Sequence, residues 1–305
     1  MFSFLKRSPR PYDTGYVPVG QGHQLFYQQV GNPNGEVVLS FHSGPGSRAK
    51  AKHTSHYDLK KYRVILFDQR GCGLSKYTDA FRCNTTMDTI RDGIAILDHL
   101  KVKGKVIVAG ASFGSGLAIL FAETYPTRVK QIIINSVFLM RHKTDSMWTS
   151  RDCRLFYPDL MDEMRSIAKS DNIVPFFHKM AFSDKYKDIQ IAKKYYGTFE
   201  RELGSLTPSF KSQSLTDESV QSLRVYLHYE KNLFFVEPNQ IMDNIDKIKS
   251  IPALIVHNRL DFVCPVYMAY DLHRALPKSR LIIVPDKGHA SPLLFKILDA
   301  EIKKL

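Results

Sequence analysis

The feature that most restricts how this chain can fold is the segment at residues 105–116, KVIVAGASFGSG. A short apolar strand pattern leads into a Gly-x-Ser-x-Gly turn centred on Ser112, and an apolar helix pattern follows. This setting is that of a nucleophile elbow, in which strained backbone exposes a serine hydroxyl at a helix N-terminus. Glycines flank the turn because a Cβ there would collide with the neighbouring strand or helix. The pattern predicts that Ser112 is a nucleophile; the alternative is a glycine-rich turn with an incidental serine.

Strand patterns alternate with helix patterns through most of the chain. An antiparallel hairpin is predicted over residues 16–30, and a helix that Thr85 and Thr86 can cap is predicted to run to about residue 100. The continuous apolar runs, typical of strands covered on both faces, lie at residues 36–41, 62–67, 106–109, 129–137, 253–257 and 281–285. This alternation favours a mostly parallel, doubly wound α/β sheet with its functional groups at the carboxyl ends of the strands.

The pattern changes between residues 139 and 248. This segment is aromatic, charged and helical, with short amphipathic pieces at residues 189–203 and 220–231, and it has few β-branched runs. We therefore predict a core formed by residues 1–138 and 249–305, with residues 139–248 inserted as a helical cap.

Two later loops carry the partners that a serine nucleophile requires. A serine hydroxyl needs an adjacent base, which an acid orients, and in this architecture the chain order is serine, acid, histidine. Asp261 follows the strand pattern at 253–257, and His289 follows the one at 281–285. We predict that Asp261 is the acid and His289 the base; the alternatives are a helix N-cap and a surface histidine.

A glycine-rich loop, HSGPG at residues 42–46, ends the first predicted parallel strand. This loop and the turn after Ser112 fall at matching strand ends, so the backbone N–H groups of Gly44 and Phe113 are predicted to form an oxyanion hole. The Gly44–Pro45 bond is a candidate for the cis form, which occurs in tight X-Pro turns. The alternative to an oxyanion hole is that residues 42–46 form an ordinary turn.

Several motifs together resemble the proline iminopeptidases (prolyl aminopeptidases) of the α/β-hydrolase fold, and the similarity covers nearly the whole chain. They are HSGPG from residue 42, DQRGCGLS from 68, NTTMDTIRDGIAIL from 84, GASFGSGLAILFAETYP from 110, NRLDFVCP from 258 and VPDKGH from 284. The resemblance implies a serine aminopeptidase that releases N-terminal proline from small peptides through an acyl-enzyme. It implies Ser112, Asp261 and His289 as the triad, and it implies no metal and no organic cofactor.

The resemblance also extends into the predicted cap. Residues 192–200 (AKKYYGTFE) and 229–235 (YEKNLFF) are similar to family stretches whose glutamates hold the free amine of the substrate. This implies that Glu200 and Glu230 bind the terminal ammonium group through charge-assisted hydrogen bonds. On the residues alone, the alternative is that both are ordinary surface charges, since most glutamates lie at the surface. Asn258 replaces a family glycine, a change that we expect to be mild because asparagine tolerates left-handed backbone.

Composition and charge bear on partners and location. The 305 residues carry a formal charge of +13, but the lysines are dispersed and no nucleic-acid-binding signature accompanies them, so no nucleic-acid partner is predicted. The chain has no apolar run near the roughly 20 residues that span a bilayer, and no cleavable signal pattern. The four cysteines are scattered, without metal spacing or a dense disulfide pattern. We therefore predict a soluble cytoplasmic protein with no membrane partner.

Two other functions are compatible with these patterns. One is a carboxylesterase or amidase on the same scaffold, with the cap adapted to another substrate. The other is a non-catalytic binding protein that keeps the fold.

Overall fold

The computed structural model describes residues 8–141, 154, 156–197, 204–205 and 215–305. Within these ranges, nine strands form one sheet in the order β1-β2-β4-β3-β6-β7-β8-β9, and β5 pairs with β2 beside that path. Neighbours are antiparallel from β1 to β4 and parallel from β4 to β9. The strands are β1 (Asp13–Gly20), β2 (His23–Gly31), β3 (Glu36–Phe41), β4 (Tyr62–Phe67), β5 (Lys76–Tyr77), β6 (Val106–Ala111), β7 (Val129–Asn135), β8 (Ala253–Leu260) and β9 (Ser279–Lys287).

The helices lie between or after the parallel strands. They are α1 (Thr86–His99), α2 (Phe113–Thr124), α3 (Pro158–Ala168), α4 (Val174–Ala181), α5 (Tyr186–Ala192), α6 (Asp217–Lys231), α7 (Gln240–Asp243), α8 (Tyr267–Ala275) and α9 (Pro292–Ile302). Short 3-10 turns occur at Ala51–Thr54, Pro126–Arg128, Leu233–Phe235 and Ile245–Ile248. Within the described part of the chain, each helix is too short or too polar to cross a bilayer.

Two apolar cores cover the sheet on opposite faces. Successive side chains of a strand point to opposite faces, and alternate residues of β4 accordingly belong to different cores: Ile65 and Phe67 to one, Val64 and Leu66 to the other. The first core includes residues of α1, α2 and α8, and the second includes residues of α9. The predicted doubly wound α/β sheet is confirmed, since helices cover both of its faces.

The loops of the two late strands are shorter than predicted. The strand pattern ended at residue 257 in β8 and at residue 285 in β9, whereas the structure continues the two strands to Leu260 and Lys287. After a shift in register, these two residues pair with each other. Asp261 and His289 therefore leave the sheet from adjacent strands at nearly the same level.

Helices α3 to α6 occupy the segment between β7 and β8 and share an apolar core of their own, to which Met164, Phe177 and Leu227 contribute. Of the amphipathic piece predicted at residues 189–203, the first part belongs to α5, which ends at Ala192, and a π turn follows at Lys193–Gly197. Residues 198–203 lie outside the described residues. The piece predicted at 220–231 begins earlier, at Asp217, because the side chain of Thr216 accepts a hydrogen bond from the Ser219 amide and caps the helix. The boundaries of the predicted cap, at residues 139 and 248, stay a prediction.

Candidate active site

Ser112 lies in the turn between β6 and α2, with φ of 56° and ψ of −128°. Such a conformation is strained for a residue with a Cβ. The glycines permit it, because a Cβ on Gly110 would lie 2.0 Å from the Gly114 carbonyl oxygen, and one on Gly114 would lie 2.3 Å from that of Phe41. The structure thus has the strained strand–turn–helix arrangement that the motif predicts.

Asp261 and His289 are in direct contact. His289 Nδ1 lies 2.9 Å from Asp261 Oδ2 and 3.1 Å from Oδ1. Since an ionised carboxylate only accepts hydrogen bonds, Nδ1 carries the proton and donates it. The lone pair of His289 is then on Nε2, the nitrogen available to accept a proton from a nucleophile.

Asp261 is held by its own loop as well as by His289. Its Oδ1 accepts hydrogen bonds from the amides of Val263 at 3.0 Å and Cys264 at 2.9 Å. The carboxylate therefore stabilises the turn after β8 and still binds the imidazole. The alternative that Asp261 is a helix N-cap is wrong, because the next helix, α8, begins only at Tyr267.

A second, fully buried histidine supports this loop. His257 Nδ1 accepts a hydrogen bond from the Val137 amide at 3.0 Å, and its Nε2 donates to the Cys264 carbonyl at 2.7 Å. Burial lowers the pKa of His257, so the ring is neutral beside Asp261. It links β7 and β8 to the turn that carries the acid.

Asn258 acts through its side chain. We expected the replacement of a family glycine by Asn258 to be mild because asparagine tolerates left-handed backbone. However, Asn258 lies within β8 and does not have a positive φ. Its buried amide donates to the Gly288 carbonyl at 2.9 Å and to Ser291 Oγ at 3.2 Å. These bonds tie β8 to the loop that carries His289 on both sides of that residue.

The loop after β3 is fastened to the residues that follow β4. The Gln69 amide donates to His42 Nε2 at 3.1 Å, and the Gln69 side chain donates to the His42 carbonyl at 2.9 Å. Asp68 accepts hydrogen bonds from the Ala49 and Leu74 amides, each at 2.7 Å. Two residues of the DQRGCGLS motif thus hold the loop that contains Gly44. The Gly44–Pro45 bond is cis, as predicted.

A cavity of about 400 Å³ lies beneath the helices that follow β7, and we call it the cap-side cavity. Ser112, His289 and Gly44 all line it. Its other side chains are mixed: Phe138, Leu223, Tyr226, Phe234 and Val263 are largely apolar, whereas Ser43, Ser47, Ser222 and Lys193 are polar. Phe113 begins α2 with a fully buried ring that packs against Tyr229 and Phe234 at centroid distances of 5.2 and 6.1 Å.

Of the two glutamates predicted to bind the substrate amine, Glu230 lies within the described residues. Glu200 lies outside the described residues. Glu230 is buried on α6 and accepts a hydrogen bond from the Tyr196 hydroxyl. It lines a neighbouring cavity of about 420 Å³ and not the cap-side cavity, but Phe138 and Phe234 line both. Phe138 and Phe234 are thus walls that the two cavities share.

Sequence reasoning missed the supporting residues of the site. His42, Gln69, His257 and Asn258 are buried and hydrogen-bonded to the loops that carry Gly44, Asp261 and His289. In the sequence, His42 and Gln69 stand out only as members of motifs and Asn258 only as the replacement for a family glycine, although a polar side chain in an apolar strand or at its end is itself a signal for a buried hydrogen bond.

A model of the α/β-hydrolase fold matches residues 36–295 of the chain. The chain is 35% identical over 301 residues to a protein of Leptolyngbya boryana named probable proline iminopeptidase, and the match covers 95% of this chain and 93% of that protein. It is 32% identical to the proline iminopeptidase of Arabidopsis thaliana, over 92% of this chain and 76% of that protein. Among solved structures, an α/β-fold family hydrolase from Bacillus anthracis (strain Sterne) is similar in fold, with a TM-score of 0.63, 18% identity, and coverage of 96% and 98% of the two chains.

Proposed function

Because the chain belongs to the proline iminopeptidases of the α/β-hydrolase fold, we propose that it releases N-terminal proline from small peptides through an acyl-enzyme on Ser112. The observation that carries this proposal is the His289–Asp261 hydrogen bond at the edge of a cavity that Ser112 also lines. A histidine base, an acid that orients it and a serine hydroxyl on the same cavity are what nucleophilic acyl transfer requires.

In the acylation step, Ser112 Oγ attacks the carbonyl carbon of the first residue while His289 Nε2 accepts the serine proton. Asp261 stabilises the imidazolium that forms. The amides of Gly44 and Phe113 bind the oxyanion, and each such donor is worth about 3 kcal/mol in the transition state. The peptide C–N bond then breaks as His289 returns the proton to the leaving amine.

In the deacylation step, a water molecule replaces the leaving peptide. His289 Nε2 accepts one of its protons as the oxygen attacks the ester carbon, and it returns that proton to Ser112 Oγ when the C–O bond breaks. The products are free proline and the restored serine. The same histidine, acid and oxyanion donors serve both steps.

Residues 139–248 act, in this proposal, as the cap that selects the substrate. The apolar side chains of the cap-side cavity, such as Phe138, Leu223 and Val263, suit a proline ring, and Glu230 and Glu200 bind the ammonium group of the substrate. Support for Glu230 comes from its burial on α6 in a cavity that shares Phe138 and Phe234 with the cap-side cavity, since a carboxylate removed from water binds a cation strongly.

The proposal is tested by labelling and by kinetics on matched substrates. A fluorophosphonate probe should label the wild type at Ser112 and leave Ser112→Ala unlabelled, while Ser47→Ala, whose serine lines the same cavity, is labelled normally. The wild type should cleave a prolyl anilide and discriminate against its N-acetylated form. Turnover of short acyl esters without cleavage of the prolyl anilide would show an esterase instead, and a folded protein that no probe labels would show a non-catalytic binding protein.

A further inference from the structure

The chain leaves β7 next to both of the proposed reacting residues. The carbonyl of Asn135, the last residue of this strand, accepts a hydrogen bond from the Ser112 amide at 3.2 Å. The hydroxyl of the next residue, Ser136, donates to the carbonyl of His289 at 2.8 Å. Two successive residues at the end of one strand therefore contact the backbone of the serine and the backbone of the histidine.

Ser136 has a strained backbone conformation for a residue with a Cβ. It is 1% exposed, and its φ of 49° lies in the left-handed region, which glycine adopts more easily. Two hydrogen bonds use its hydroxyl, which donates to the His289 carbonyl and accepts from Nδ2 of Asn135 at 3.4 Å. A glycine would suit this backbone better but would make neither bond, so the strain points to a role for the hydroxyl.

The backbone around Ser136 is fixed to the neighbouring strand. The Ser136 amide donates to the Val256 carbonyl at 3.2 Å, and the Val137 amide donates to Nδ1 of His257 at 3.0 Å. Both partners lie within β8, the strand that leads to Asp261. A hydroxyl on a segment anchored in this way holds the group that it binds in a fixed place relative to the acid.

The loop that carries His289 borders open space on one side. A cavity of about 510 Å³ lies there, and Ser112, Ser136 and His289 all line it. Close packing keeps most buried residues in place, but atoms that face a cavity lack such contacts. Hydrogen bonds hold the backbone of His289 instead: its amide donates to the Gly204 carbonyl at 2.8 Å, and its carbonyl accepts from Ser136.

We propose that Ser136 is a positioning residue for His289, whose hydroxyl keeps Nε2 of the imidazole within proton-transfer distance of Ser112 Oγ. The inference rests on the proposed function, in which His289 is the base. The connection is short, because the Asn135–Ser136 peptide unit bonds to the Ser112 amide and the Ser136 side chain bonds to the His289 carbonyl. A shift of that carbonyl moves the imidazole relative to the serine, and the rate of proton transfer is sensitive to such shifts.

The test uses two variants that both remove the hydroxyl but differ in the backbone. Ser136→Ala keeps a Cβ at a φ of 49°, whereas Ser136→Gly relieves the strain. We expect both variants to lower kcat for a prolyl anilide by a similar factor, about 5- to 50-fold, with KM within about twofold of the wild type. Urea unfolding should show that Ser136→Gly is the more stable of the two. A purely structural role would instead make the loss of kcat follow the loss of stability.

Fluorophosphonate labelling of Ser112 provides a second measurement, which does not require peptide cleavage. The rate constant of labelling should fall in both Ser136 variants, because labelling also requires His289 to accept the serine proton. The matched control is Ser279→Ala, which removes a hydroxyl that donates to the Leu276 carbonyl at 2.6 Å, at the other end of β9. This control should keep the kcat and the labelling rate of the wild type.

A wild-type kcat in Ser136→Gly, or an equal loss of kcat in the Ser279→Ala control, would overturn the inference. Failure of the proposed function is recognised separately, because the wild type is then labelled at Ser112 but does not cleave the prolyl anilide. In that case the labelling rates decide: a fall in both Ser136 variants supports the inference, and unchanged rates overturn it. A wild type that the probe does not label would overturn both proposals.

Discussion

The imidazole of His42 donates a hydrogen bond from Nδ1 to the carbonyl oxygen of the adjacent Ser43, at 2.7 Å. The peptide unit that carries this oxygen also carries the N–H of Gly44, and the planar trans geometry points the two groups in opposite directions. The Gln69 amide occupies the other ring nitrogen. Burial lowers the pKa of His42 to about 4, so the neutral ring keeps both hydrogen bonds near pH 7. His42 therefore fixes the direction of the N–H that we propose as an oxyanion donor.

Replacement of His42 by alanine is expected to lower kcat by about 10- to 100-fold with little change in KM, because a misdirected oxyanion donor is lost mainly in the transition state. Steady-state kinetics on a prolyl anilide measure this effect. The control is His23→Ala, which removes another buried histidine, bonded to the Arg82 carbonyl at 2.8 Å in the hairpin region. Equal losses of kcat in the two variants would show that His42 has only a general structural role.

Replacement of Asn258 by alanine is expected to lower kcat about tenfold and to destabilise the fold by about 1–3 kcal/mol, since the Gly288 carbonyl and Ser291 Oγ lose a buried donor. His289 lies between Gly288 and Ser291 in the sequence, so the loss of these hydrogen bonds allows it to move relative to Asp261. Urea unfolding and the pH profile of kcat/KM report the two effects. The control is Asn32→Ala, which removes an exposed amide bonded to the Lys60 carbonyl and should change neither the stability nor the pH profile. A normal pH profile and a normal kcat in Asn258→Ala would contradict the prediction.

Replacement of Glu230 by glutamine is expected to reduce kcat/KM for free-amine substrates by about 10- to 100-fold, and for neutral esters far less, because only the former present an ammonium group. The comparison uses a prolyl anilide and a short acyl ester. Glu237→Gln, at an exposed position after α6, serves as the control. Equal losses on both substrates would show that Glu230 only supports the packing around Tyr196.

Glu123 provides a prediction about stability and pH. Its side chain is 6% exposed on α2, and burial raises its pKa to about 8, although Lys247 partly offsets this rise. From about pH 4.5, where the unfolded chain loses this proton, up to about pH 8, the folded protein binds more protons at this site than the unfolded chain does. The contribution of this group to stability therefore falls as the pH rises through that window.

Glu123→Gln is accordingly expected to raise the free energy of unfolding at pH 8.5 by about 1–3 kcal/mol and to change it much less at pH 5. Urea denaturation at the two pH values measures the difference. Glu237→Gln should leave the pH dependence as it is in the wild type. A stabilisation of Glu123→Gln that is the same at both pH values would contradict the assignment.

Much of the fold was readable from local patterns. The bounds predicted for β3 and β4 agree with the structure, as does the helix that begins after Thr85. Apolar runs and capping residues are local signals, so they predict the bounds of a single strand or helix. The end of α5 at Ala192 was not readable, since the amphipathic pattern continues through the residues that form the π turn.

The sequence by itself determined the elbow at Ser112 and the chain order of Ser112, Asp261 and His289, because motif spacing and strand patterns are local properties. Only the tertiary structure decided that Leu260 pairs with Lys287. This register brings Asp261 into contact with His289. The same holds for the contact of Gln69 with His42. These contacts join segments that are distant in sequence, and strand register and packing set them rather than any property of the neighbouring residues.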